Sequence, residues 1–137
     1  MSFLLDTNAV SAWVKPRPNP GLIGWMESTD EDRIFVSVIT LAELRYGVKR
    51  LAVGARRRLE EWIGRELPLR FEGRILPIDR DVADAWGEAV SRCEAAGRPI
   101  RARDVFLAAT AEFHQLTLVT RDVSGFQMFR AVFNPWI

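Results

Sequence analysis

Short apolar runs that break off abruptly into polar side chains recur along this chain. Phe3-Leu4-Leu5 ends on Asp6-Thr7-Asn8, Ile34-Phe35-Val36 ends on Ser37, and Leu116 to Val119 runs into Thr120-Arg121-Asp122. Each reads as a buried strand delivering polar groups at its end. Ile75-Leu76-Pro77-Ile78 is a fourth candidate, placed at an edge because Pro77 has no N–H to give a ladder, and Ala131-Val132-Phe133 is a last short strand before Asn134-Pro135-Trp136.

Helical spacing fills the intervals. Ala9 to Val14 fits a short helix stopped by Pro16, Pro18 and Pro20, and Leu22, Ile23, Trp25 and Met26 suggest another before the acidic turn Asp30-Glu31-Asp32. From Ile39 to about Val53, Leu41, Leu44, Val48 and Leu51 recur at three- and four-residue steps. A further helix, Arg56 to about Arg65, turns Leu59, Trp62 and Ile63 inward and is expected to end at Leu67-Pro68. Asp79 caps a long helix with Val82, Trp86, Ala89, Val90 and Cys93 inside, closing at Gly97. The segment from Asp104 to Phe113 is apolar nearly all round, so most of it should be buried, with His114 at its end as a dipole partner. Strands alternating with helices imply a three-layer α/β/α sandwich around a central parallel sheet.

Composition narrows the class. With 137 residues and 48% hydrophobic content, the chain is expected to form a single domain that buries about two thirds of its unfolded surface. No apolar run approaches a membrane span and no leader pattern opens the chain, so the expected location is the cytoplasm. One cysteine, Cys93, excludes an internal disulfide, and one histidine, His114, excludes a His/Cys zinc site; any metal here is held by oxygen. The net charge of +1 says little. Its make-up says more, because all the basic residues but Lys15 and Lys49 are Arg, the better bidentate ligand for phosphate, although a GC-rich genome gives the same bias. One cluster, Arg98, Arg101 and Arg103, stands beside Asp104.

In open parallel sheets the ligand crevice lies beyond the carboxyl ends of the strands, which is where Asp6 falls; alone, it could equally cap the next helix. Glu43 likewise has two readings. It closes a capping box with Thr40, or, with Ser37 as the cap, it sits in the second turn and projects over the sheet edge. Gly47, one turn on, leaves room for a ligand or another backbone. Asp6, Glu43, Asp104 and Asp122 all fall at strand ends or helix starts on one side, where four carboxylates repel unless a cation joins them. Mg²⁺ or Mn²⁺ suits such oxygens, and an ion there can activate water and clamp a phosphate, so the implied reaction is phosphodiester hydrolysis.

These residues, in this order, resemble the PIN-domain ribonucleases, specifically the VapC-like (FitB-like) toxins of bacterial toxin–antitoxin pairs. The resemblance rests on Leu5-Asp6-Thr7-Asn8, Ser37 to Leu44 with Gly47, Asp104 with Leu107-Ala108-Ala109, Leu118 to Asp122, and Asn134-Pro135-Trp136. It implies metal-binding acids at Asp6, Glu43, Asp104 and Asp122, with Thr7, Asn8 and Thr120 orienting them and a water. It also implies an RNA substrate, a cognate antitoxin and a homodimer; the negative charge of the acid cluster in turn suits a partner segment that covers it and presents an Arg. Trp13, Leu22 and Trp25 are either core residues or part of the antitoxin's interface. One departure concerns the last acid: many similar proteins have Asn where this chain has Asp122 and an Asp immediately before the Phe, where this chain has Gly125. If Asp122 stands back from the crevice, a second ion binds weakly or only with substrate. Two other readings are a non-catalytic nucleic-acid-binding domain of the same fold and a haloacid-dehalogenase-like phosphatase. The phosphatase needs a second Asp two residues after the first, and Asn8 is there instead.

Overall fold

Five short strands form one wholly parallel sheet in this protein, whose computed structural model describes residues 1–137. In chain order they are β1 (Phe3–Leu5), β2 (Ile34–Ser37), β3 (Ile75–Leu76), β4 (Thr117–Val119) and β5 (Val132–Phe133), and their order across the sheet is β3-β2-β1-β4-β5. The order reverses about β1, so β1 is central, between β2 and β4. Leu4 pairs with Phe35 on one side and Leu118 on the other. β3 ends at Leu76 on the outer edge, as Pro77 requires.

Successive residues of a strand face opposite sides, and the core divides accordingly. Leu4 and Leu118 face Ala89 and Cys93 of α6 (Arg80–Ala95) and Val105, Ala108 and Ala111 of α7 (Ala102–Phe113). Phe3, Leu5, Ile34, Val36 and Val119 face the other layer, where Ala9 and Val10 of α1 (Thr7–Trp13) meet Leu67 of α5 (Leu67–Arg70) and Phe71. The three-layer α/β/α arrangement is therefore present. Trp13 and Trp25 belong to this core: Trp13 lies edge-on to Trp62 and Phe71, and Trp25 edge-on to Phe3. Leu22 of α2 (Pro20–Ser28) is fully buried and offers no interface, whereas Trp13 and Trp25 pack against the core with part of each ring exposed.

Two helix boundaries differ from the sequence pattern. The helix expected from Ile39 to Val53 is α3 (Val38–Val48), after which the chain turns at Lys49–Ala52 into α4 (Val53–Glu61). Glu60 spans the hairpin with ion pairs from Arg45 in α3, Lys49 in the turn and Arg56 in α4. Pro68 does not end the next segment. Trp62–Glu66 forms a wider π turn in which Leu67 N–H bonds the Trp62 carbonyl, so Pro68 enters in the first turn of α5, where its missing donor costs nothing. At the other end of the chain, Asn19 Oδ1 caps α2 through Gly21 and Leu22 N–H and also accepts from Ile137 N–H. A side chain at Gly21 would overlap the Pro135 carbonyl, so the tail seats only on glycine. No helix is long and apolar enough to cross a membrane.

Candidate functional site

The carboxyl ends of β1, β2 and β4 and the first turn of α7 bring the polar groups together. Asp6 leaves β1 with its N–H bonded to the Val119 carbonyl at 3.0 Å and its backbone extended, which aims the side chain at the start of α1. There Oδ1 accepts Ala9 N–H at 2.7 Å, so Asp6 does cap the helix. It is only 5% exposed. Burial raises its pKa to about 6, against the lowering effect of bonds from Thr120 and Ala9, and the negative charges of Asp104 and Glu43 raise it further. A cap alone would need no such neighbours.

Ser37 is the cap of α3, accepting Ile39 N–H at 3.0 Å, which decides between the two readings of Glu43. Glu43 stands in the second turn, and Thr40 is free of the capping box. Instead the Thr40 hydroxyl, fully buried, lies 3.1 Å from that of Thr7, and Thr7 Oγ1 donates to Glu43 Oε1 at 2.6 Å. The other oxygen, Oε2, faces Arg103 Nη1 at 3.1 Å. Asp104, next along α7, takes Nε and Nη2 of Arg101, each at 3.1 Å from Oδ2. Thr120 is buried between Asp6 and the following turn, where its hydroxyl accepts Asp122 N–H at 3.0 Å.

Glu43 and Asp104 thus stand near enough to Asp6 for their charges to act on it, with Thr7 the hydrogen-bond partner of Glu43 and Thr120 that of Asp6. Asp122 is not among the charges that act on Asp6. Its Oδ1 accepts the Ser124 hydroxyl at 3.2 Å and Gly125 N–H at 3.1 Å, holding the single 3₁₀ turn Ser124–Phe126. A methyl group at position 125 would overlap the Asp122 carboxylate, so the glycine makes the space this carboxylate fills. Asn8 is exposed and makes no side-chain hydrogen bond to the acids. No three acids converge closely enough to hold one ion as they stand; Glu43 and Asp104 each lean on an arginine. The cross-helix pair of Arg103 with Glu43 and the part of Thr40 do not follow from sequence spacing. Their one signal is an Arg immediately before Asp104.

A groove of about 600 Å³ opens from Thr7 and Glu43 and runs between α1, α3 and α4 over Leu44, Gly47, Leu59 and Trp62. Nothing lies within 4 Å of where a side chain at Gly47 would begin, so the glycine widens the groove.

Comparison with known proteins gives one family. Residues 3–129 match the PIN domain. The chain is 44% identical to toxin FitB of Neisseria gonorrhoeae, with 97% of each chain covered. It is 34% identical to VapC ribonuclease Y4jK of Sinorhizobium fredii, over 97% of this chain and 96% of that one. Among solved structures, FitAB bound to an IR36 DNA fragment contains a chain that superposes with a TM-score of 0.90 at 39% identity, covering 98% of this chain and 96% of that one.

Proposed function

As a member of the PIN-domain family, among the FitB- and VapC-like toxins of toxin–antitoxin systems, this chain is, we propose, an endoribonuclease that uses Mg²⁺ or Mn²⁺ and is silenced by a small antitoxin protein. The observation that carries the reading is Asp6, a carboxyl buried beside two other acids and pushed up to about 6 by that burial and by their charge. Such a group is costly to keep ionised, and a divalent cation removes the cost by taking the charge.

The donor set is all oxygen and suits a hard cation. Asp6, Glu43 and Asp104 would hold it, once Glu43 and Asp104 turn from their arginines. When bound, the ion supplies the charge that activates water and stabilises the phosphate in the transition state. The remaining work falls to the chain. Thr7 fixes Glu43 through its 2.6 Å bond, and Ala9 N–H and Thr120 fix Asp6. Asp122, engaged in its turn, stands at the rim and acts at most on a second, weaker ion. Arginines at the mouth hold the flanking phosphates. The groove over Leu44 and Trp62 leads directly to Glu43 and is the natural bed for an antitoxin segment whose Arg reaches the acids. A homodimer, implied by the family resemblance, completes the reading.

Induced expression in a bacterial host tests it. The unmodified chain arrests growth, the Asp104→Asn variant does not, and co-expression of a cognate antitoxin restores growth. Arrest by the Asp104→Asn variant at equal expression would mean that toxicity does not come from the acid crevice.

A further inference from the structure

Glu43 uses both its carboxylate oxygens within the chain, one for the Thr7 hydroxyl and one for Arg103. The Arg103 pair joins α7 to α3, with Nη1 3.1 Å from Glu43 Oε2. The guanidinium makes no other ion pair and no side-chain hydrogen bond within the chain. Its side chain is 50% exposed where that of Glu43 is 17%, so the cation stands on the solvent side of the carboxylate. Arg101 differs: it holds Asp104 from the preceding turn of the same helix entrance and is 71% exposed.

We propose that Arg103 is a built-in competitor of the divalent ion at Glu43, and that a phosphate of the bound RNA strand relieves the competition by taking the guanidinium. The inference rests on the metal-dependent reading above. A full positive charge on Oε2 repels a divalent ion approaching the same oxygen, so one of them must yield. A half-exposed pair of this kind is weak enough to be displaced. A phosphate offers Arg103 a better partner, two oxygens at the spacing of two parallel N–H donors. Phosphate at Arg103 and the ion at Glu43 therefore each favour the other, and linkage makes the effect reciprocal. The ion is loaded with the substrate rather than ahead of it, which keeps an unengaged toxin poorly charged with metal.

The test is Mn²⁺ binding to the full chain at neutral pH, by calorimetry, with and without a single-stranded 2′-O-methyl RNA that cannot be cleaved; binding of Mn²⁺ to the oligonucleotide alone is subtracted. The oligonucleotide tightens Mn²⁺ binding to the unmodified chain. Arg103→Gln binds Mn²⁺ about two- to fivefold more tightly without oligonucleotide, the worth of a half-exposed ion pair, and gains nothing when the oligonucleotide is added. Arg121→Gln removes an equal charge from the segment after β4, where no acid is paired, and behaves as the unmodified chain. Equal tightening in both variants reduces the effect to net charge and overturns the proposal, as does an oligonucleotide effect that survives in Arg103→Gln. If the unmodified chain and both variants bind no Mn²⁺, the metal-dependent reading itself falls and this inference with it.

Discussion

Thr7 Oγ1 lies 2.6 Å from Glu43 Oε1, and this bond ties the first turn of α1 to the second turn of α3 across the crevice. The Thr40 hydroxyl, 3.1 Å from that of Thr7 and fully buried, backs it. Glu43 is therefore held at one oxygen and free to exchange partners at the other. Groups that orient a metal ligand typically change affinity or activity by about 10–100-fold when removed. Thr7→Val should lower RNA cleavage by roughly that factor at a stability cost of about 1 kcal/mol, and Thr7→Ser, which keeps the hydroxyl, should restore most of the rate. Steady-state cleavage with thermal melts of the three proteins decides it; an unaffected rate in Thr7→Val would remove Thr7 from the site.

Asp6 makes a prediction of opposite sign for stability. Its carboxyl titrates near 6 in the folded chain against 3.8 ordinarily, so the folded state binds the proton more tightly than the unfolded state. Stability then falls as pH rises from about 4 to about 6 and stays lowered above it, by roughly 3 kcal/mol for a shift of this size. Asp6→Asn removes the charge but keeps an oxygen to accept Ala9 N–H. In chelator-treated buffer the variant should melt above the unmodified chain at neutral pH, the two curves meeting as the pH approaches 4. A variant less stable at neutral pH would make Asp6 a structural cap and no more.

Because that carboxyl must lose its proton to bind an ion, affinity for Mn²⁺ should rise as pH increases through about 6 and level off above it. Titrations across that range measure it directly. A flat profile would show that the ion does not engage Asp6.

Asp122 and Gly125 form a matched pair, since the carboxylate occupies space that any side chain at 125 would need. Asp122→Asn keeps an acceptor for Gly125 N–H and Ser124 and should retain much of the cleavage, with a loss far smaller than in Asp6→Asn. Asp122→Ala loses the turn's acceptor and should cost about 1 kcal/mol in stability. If Asp122→Asn is as inactive as Asp6→Asn, the carboxylate swings into the crevice and ligates the ion directly.

The frame of the molecule was legible because short apolar runs in a two-sided sheet leave little freedom. Leu4 and Leu5 had to face opposite layers, and the polar groups after each run had to emerge at one edge. The break at Lys49 was not legible, because Leu51 continues the helical spacing although it is exposed in the turn. Pro68 misled for a related reason: a π turn places it where proline is harmless, and no local pattern announces such a turn. The nearness of Asp6, Glu43 and Asp104 could be read from their places at strand ends and helix starts. Their partners could not. That Arg103 crosses to Glu43 while Arg101 stays on Asp104 depends on how α7 sits beside α3, a matter of packing rather than spacing.

Metal-dependent cleavage at the acids is tested most directly on an unstructured RNA, with the purified chain in Mg²⁺ or Mn²⁺ and in a chelator, beside the Asp104→Asn variant under the same conditions. Internal cleavage is expected with either ion, none with chelator, recovery when Mn²⁺ is restored, and none from the variant although it stays folded. Cleavage that persists in chelator, or that Asp104→Asn retains in full, would contradict metal-dependent cleavage at the acids.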